Sequence, residues 1–112
     1  MNYGFMFHKG IVYRIQRGNI MPFKALHIIA HGLVQGVGFR FFVRECSIQY
    51  GIKGWVKNLP DSTVEILAEG EEERLNLFIA EVRRGPSFGH VARVVKEWVE
   101  PKNKYNDFRI VF

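Results

Sequence analysis

Along this chain the hydrophobic pattern switches between a period of two residues and one of roughly 3.6, and the order of the switches limits its folds more than any other feature. From Lys24 onward, Leu26, Ile28 and Ala30 alternate with Ala25, His27, Ile29 and His31, which predicts a largely buried strand ending at Gly32. After a glycine-rich stretch from Leu33 to Gly38, an apolar stripe at Phe39, Phe42, Val43, Cys46 and Tyr50 has helical spacing, with Gly51 placed to stop the helix. Residues 52–57 and 63–69 read as two strands joined by Asn58-Leu59-Pro60-Asp61-Ser62, a run of turn-forming types. Glu71, Glu72 and Glu73 open a second helix and Arg83 and Arg84 close it, both groups complementing the helix dipole, with Leu75, Phe78, Ile79 and Val82 as its buried stripe. Gly85-Pro86 ends that helix, and residues 91–98 and 108–112 supply one or two further strands. The order β-α-β-β-α-β predicts an α+β fold, the ferredoxin-like split βαβ sandwich, with two helices on one face of an antiparallel sheet.

At 112 residues, 47% hydrophobic and 24% charged, the chain has the size and composition of one domain with one core. Its body is expected at residues 24–112. Residues 1–23 form an appendage that reads equally as disordered, as an extra strand in which Ile11, Tyr13 and Ile15 alternate with Val12, Arg14 and Gln16, or as a misassigned start ahead of Met21-Pro22. The net charge of +5 is concentrated there: without Lys9, Arg14 and Arg17, 13 basic and 11 acidic residues remain. A body near +2 is a weak signal for an anionic partner, so neither nucleic acid nor membrane is expected to bind. No apolar run approaches a membrane span, and the lone Cys46 suits a reducing compartment, so a cytoplasmic location is expected. A monomer is the expected state, with a dimer through residues 1–23 as the alternative.

Chemistry is concentrated before the first helix. Gly32, Gly36 and Gly38 fall within seven residues and end where the helix begins, an arrangement that can aim several backbone N–H groups at one anion. No Lys-Ser or Lys-Thr follows the loop and no third glycine completes a dinucleotide pattern, which disfavours a nucleotide. Arg40 in the first helical turn faces the positive end of the helix dipole, an unfavourable place for a cation unless an anion joins it. Taken alone, Arg40 reads more simply as an arginine turned to solvent or paired with a carboxylate; beside the glycine loop, the anion-site reading is preferred, because guanidinium donors match phosphate oxygens.

These residues are recognisable together. Gly32-Leu33-Val34-Gln35-Gly36-Val37-Gly38-Phe39-Arg40, followed by Gly54-Trp55-Val56-Lys57-Asn58, resembles the acylphosphatase signature, and the resemblance extends over residues 24–112. It implies hydrolysis of carboxyl-phosphate anhydrides, with Gly32 to Gly38 as the amide cradle, Arg40 as the phosphate-binding arginine and Asn58 as the residue that positions water. From the residues alone Asn58 is a turn residue at a strand end. Two departures stand out: Ser62 where the family usually has glycine, and Ser47 where it usually has alanine. The resemblance extends also to the N-terminal module of a larger carbamoyl-transferring hydrogenase maturation factor, although a free-standing enzyme is preferred.

No cofactor and no metal are expected: His27 and His31 lie about 13 Å apart along a strand, and His8 and His90 show no ligand spacing. Trp55 and Trp98 read as packing residues and Cys46 as a small buried one. The main rival is a single-stranded nucleic-acid-binding module, in which Gly38-Phe39-Arg40-Phe41-Phe42-Val43 faintly resembles an aromatic RNA-binding motif but falls on a helix, whereas a stacking platform needs a sheet. A non-catalytic phosphate sensor is the second rival; it would keep the loop and Arg40 without needing Asn58.

Overall fold

The computed structural model describes residues 3–112. In chain order the elements are β1 (Tyr3–His8), β2 (Ile11–Gln16), β3 (Asn19–Leu33), α1 (Phe39–Tyr50), β4 (Lys53–Asn58), β5 (Val64–Glu71), α2 (Glu72–Arg84), β6 (His90–Val99) and β7 (Phe108–Val111). The β-α-β-β-α-β order is realised by β3 through β6. Strand β3 is central: it pairs antiparallel with β5 over residues 23–30 and with β6 over residues 25–33, while β4 pairs antiparallel with β5. One pair departs from the antiparallel expectation, because β7 adds to β4 in parallel, with Trp55 opposite Arg109 and Lys57 opposite Val111. The chain must cross the sheet to reach that edge, and a strand arriving from a crossover can run parallel to its neighbour.

Alternation along β3 and β5 decides the core. Leu26, Ile28, Ala30, Val64, Ile66 and Ala68 face the helices and are fully buried against Phe39, Val43, Leu75, Phe78 and Val82. Phe42 and Tyr50 pack at the margin of this core, and Ser47 joins the buried face of α1. The Ser47 hydroxyl donates to the Arg44 carbonyl at 2.6 Å, so its polarity is satisfied within the helix and serine costs little where alanine is usual. Gly51, left-handed at φ 68°, ends α1 as expected.

On the face away from the helices, the connection from β6 to β7 crosses the sheet over Glu69. That side chain is 1% exposed, and its carboxylate accepts the backbone N–H groups of Lys102 (2.6 Å) and Asn103 (3.0 Å). A buried carboxylate satisfied by two amides pins the crossover and thereby aims β7 along β4. The sequence reading placed Lys102 and Lys104 in a solvated loop; their side chains are exposed, but the backbone beneath them is tied down.

Residues 3–23, for which three readings stood open, form a two-stranded extension continuous with β3. The turns at Lys9-Gly10 and Arg17-Gly18 have positive φ at both residues (51° and 77°, 51° and 78°), the primed geometry whose twist suits a two-residue hairpin. The expected boundary between residues 23 and 24 falls inside β3, whose first residues pair with β2 on the edge that β6 occupies farther along.

Candidate active site

The site lies where β3 ends, α1 begins and the β4–β5 turn approaches. A bulge between His31 and Gly32 breaks the register with β6. Gly32 has φ 128°, and a Cβ there would lie 2.2 Å from the His90 carbonyl oxygen, so only glycine lets the two strands close at this point. Val34 is then buried and fastens the loop to the core, while Leu33 is exposed. Gly36 and Gly38 take left-handed φ of 75° and 76° on either side of Val37, whose side chain packs on the core. Successive N–H groups in such an alternation converge on a concavity suited to an anion.

Gly38 caps α1 without a side-chain hydrogen bond, and the Phe42 N–H is bonded to the Gly38 carbonyl at 3.0 Å. The amides of Phe39, Arg40 and Phe41 therefore have no acceptor within the helix, and no acidic residue stands in its first turn. Arg40 takes part in none of the ion pairs among the described residues. Its Nη1 reaches the Val111 carbonyl at a long 3.5 Å, and its guanidinium lies 4.7 Å from the Phe112 ring. A half-exposed arginine held by one weak bond and an aromatic face keeps most of its donors available.

Asn58 is the last residue of β4, opposite Val64. Its neighbour Lys57 is the partner of Val111 in the β4–β7 ladder, so the residue that touches Arg40 lies across the ladder from Asn58's neighbour. That register brings Arg40 and Asn58 to one end of the sheet. The Asn58 Oδ1 is buried and accepts no hydrogen bond from the described residues. An oxygen so placed is free to accept from a water or a bound molecule at this end of the sheet.

Gln35 joins the two halves of the site. Its Nε2 donates to the Leu59 and Thr63 carbonyls, each at 2.8 Å, and so braces the loop against the turn that follows Asn58. The turn is also held from within: the Asp61 carboxylate accepts from the Thr63 hydroxyl and from its N–H, and these bonds hold the carboxyl below its ordinary value. Ser62 occupies a left-handed position at φ 73°, which explains physically why glycine is usual there. Sequence reasoning placed Gln35 only in the amide cradle and missed its bracing bonds. It also missed Val111 and Phe112, which reach Arg40 only through the parallel placement of β7 and leave no local signal.

The remaining candidates are accounted for outside this site. His27 Nε2 lies 2.7 Å from Glu65, and His31 Nε2 lies 3.3 Å from Arg93. Trp55 is half-buried beneath Lys57, whereas Trp98 is more exposed than a packing residue and lies under Lys24. Cys46 is buried, and burial pushes its thiol up to about 11. The aromatics of the Gly38–Val43 stretch sit on α1, with Phe39 buried and Phe41 exposed, and so form no platform on the sheet.

The family model described as acylphosphatase matches residues 26–110. The chain belongs to the acylphosphatase family. An acylphosphatase from Chlorobaculum tepidum is 45% identical over 92 residues, an alignment that covers 81% of this chain and 99% of the relative. The crystal structure of acylphosphatase from Bacillus subtilis superposes with a TM-score of 0.77 at 39% identity, covering 80% of this chain and 99% of that one. Full-length HypF in its phosphate- and nucleotide-bound form matches with a TM-score of 0.76 at 37% identity, over 86% of this chain but 13% of its own length. The fold is thus the α+β ferredoxin-like one of acylphosphatases. The family match begins at residue 26, beyond the N-terminal hairpin. No helix among the described residues is long and apolar enough to cross a membrane.

Proposed function

We propose that this chain is an acylphosphatase that hydrolyses an acyl phosphate to a carboxylate and phosphate by in-line attack of water. The amides of residues 32–38 and the helix-first amides, together with Arg40, hold the phosphoryl oxygens and stabilise the charge that redistributes as the P–O bond to the acyl group breaks. A carboxylate leaves readily, so the reaction places small demands on a general acid. The Asn58 carbonyl oxygen accepts from the attacking water and aims it at phosphorus opposite the leaving group; the amide is too weak a base to take the proton, which passes to a phosphate oxygen of the substrate. The observation that carries this reading is the buried, unmatched Asn58 Oδ1 at the sheet end to which Arg40 is held. A cytoplasmic setting, where the thiol of Cys46 stays reduced, suits the same reading.

The test is benzoyl phosphate hydrolysis in excess chelator by the wild type, Arg40→Ala and Asn58→Ala. Each substitution should lower kcat by about 10²–10³ with circular dichroism unchanged, the range expected for removing one positioned electrostatic group. An alkyl phosphate should be a far poorer substrate. Turnover indifferent to both residues, or equal turnover of the alkyl ester, overturns the assignment.

A further inference from the structure

We propose that the outer edge of β1 is a dimerisation surface, joined antiparallel to the same strand of a second copy so that the two sheets become one. The hairpin lies outside the family match, which begins at residue 26, and the match to the Chlorobaculum tepidum enzyme covers 99% of that enzyme but only 81% of this chain.

The turn geometry determines which backbone groups are free. In a two-residue primed hairpin the residues flanking the turn form a hydrogen-bonded pair, here His8 and Ile11. Bonding then alternates along β1, so His8, Met6 and Gly4 direct their N–H and C=O groups toward β2, while Phe7, Phe5 and Tyr3 direct theirs outward. The register with β2 is unbroken from Tyr3 to His8, and on its outer side β1 pairs with no strand among the described residues. The devices that usually blunt such an edge are missing, since Tyr3–Phe7 contains no proline, no charged residue and no bulge. Phe5 and Phe7 are also exposed, at 46% and 65%.

A second copy is the occupant that fits. An antiparallel pair of identical edges is isologous: each Phe5 and Phe7 both donates and accepts, and one such edge per chain closes the assembly at two. The uncharged strand meets no like charge along the pairing itself. Across the sheet, antiparallel pairing carries Lys9 of each copy toward the end of the partner hairpin where Arg17 turns, and no acidic residue lies in residues 1–23 to offset them. Added salt therefore tightens this dimer, whereas it would weaken binding of an acidic peptide to the same edge.

Sedimentation equilibrium of the full chain at low and high salt reads this directly, alongside amide exchange by NMR. The expected result is a concentration-dependent dimer that tightens with salt, in which the Phe5 and Phe7 amides become protected as the dimer fills. Phe7→Pro, which removes one outward N–H, and Phe7→Lys, which sets like charges in the pairing, should each raise the dissociation constant at least about tenfold while kcat/KM on benzoyl phosphate is kept. Either variant suffices if the other fails to fold. A chain that stays monomeric to roughly 0.5 mM at both salts, or a dimer insensitive to the folded variants with Phe5 and Phe7 exchanging freely, overturns the proposal. So does a monomer that captures an acidic peptide with affinity falling as salt rises. Because the readouts are mass and exchange, each of these results stands whether or not the enzyme assignment holds.

Discussion

Gly32, at the end of β3, and Gly10, between β1 and β2, both have positive φ, but for opposite reasons. At Gly32, where the strand enters the phosphate loop, a Cβ would collide with the His90 carbonyl and lie 2.7 Å from the Ala92 nitrogen. At Gly10, in the hairpin turn, nothing lies within 4 Å of the added carbon. The first glycine is demanded by two strands closing on each other; the second is demanded only by its own dihedral angle. The difference extends to the surroundings. The loop is enclosed by the core beneath Val34, by the turn bonded to Gln35 and by β6, whereas the hairpin is fastened along one strand and separated from the end of β6 by a groove of about 400 Å³ lined by Phe7, Val12, Phe23 and Trp98. One region is made by tertiary closure and the other by local turn chemistry, which allows an extension to be added to the sheet without disturbing the site.

The largest expected contrast comes from alanine at those two glycines. Gly32→Ala should destabilise by at least about 3 kcal/mol, since backbone on both strands must move, and should abolish turnover. Gly10→Ala should cost about 1 kcal/mol, the strain of one left-handed residue, with activity retained. Urea unfolding with activity assays measures both, and equal penalties would erase the distinction.

A smaller effect sharpens the comparison within the site. Gln35→Ala removes the two bonds that tie loop to turn and should lower stability by about 2 kcal/mol and kcat/KM by roughly tenfold or more, because it frees Asn58's turn to shift relative to Arg40. A loss of stability with unchanged kcat/KM would mean that the brace serves the fold alone.

The smallest effect has the opposite sign. Ser62→Gly should stabilise the chain by about 1 kcal/mol by relieving a left-handed serine in the exposed turn, seen as a raised thermal midpoint. A lowered midpoint would show that the serine hydroxyl, not the dihedral angle, governs this position.

Much of the body was legible in the sequence because its elements announce themselves by period: the β3 alternation, the α1 stripe ending at Gly51 and the charge-bracketed α2 all occupy the places expected. The hairpin was less legible although its signal was present. Lys9-Gly10 and Arg17-Gly18 flank an alternating Ile11–Gln16, but lysine and arginine are uncommon as the first residue of a primed turn, where asparagine or aspartate would have been plainer.

By itself, the sequence determined which residues lie in the core, where each helix stops, and the composition of the loop and the two motifs, since these follow from local spacing and turn chemistry. Only the tertiary structure decided that β7 joins β4 in parallel, that the Val111 carbonyl and the Phe112 ring meet Arg40, and that Gln35 spans to the β4–β5 turn. Those contacts join residues 24 to 72 positions apart, and no periodicity encodes them. The Arg40 contacts exist because a crossover pinned on buried Glu69 delivers the last strand to the edge beside the site, and the Gln35 bonds because the loop after β3 packs against the β4–β5 turn.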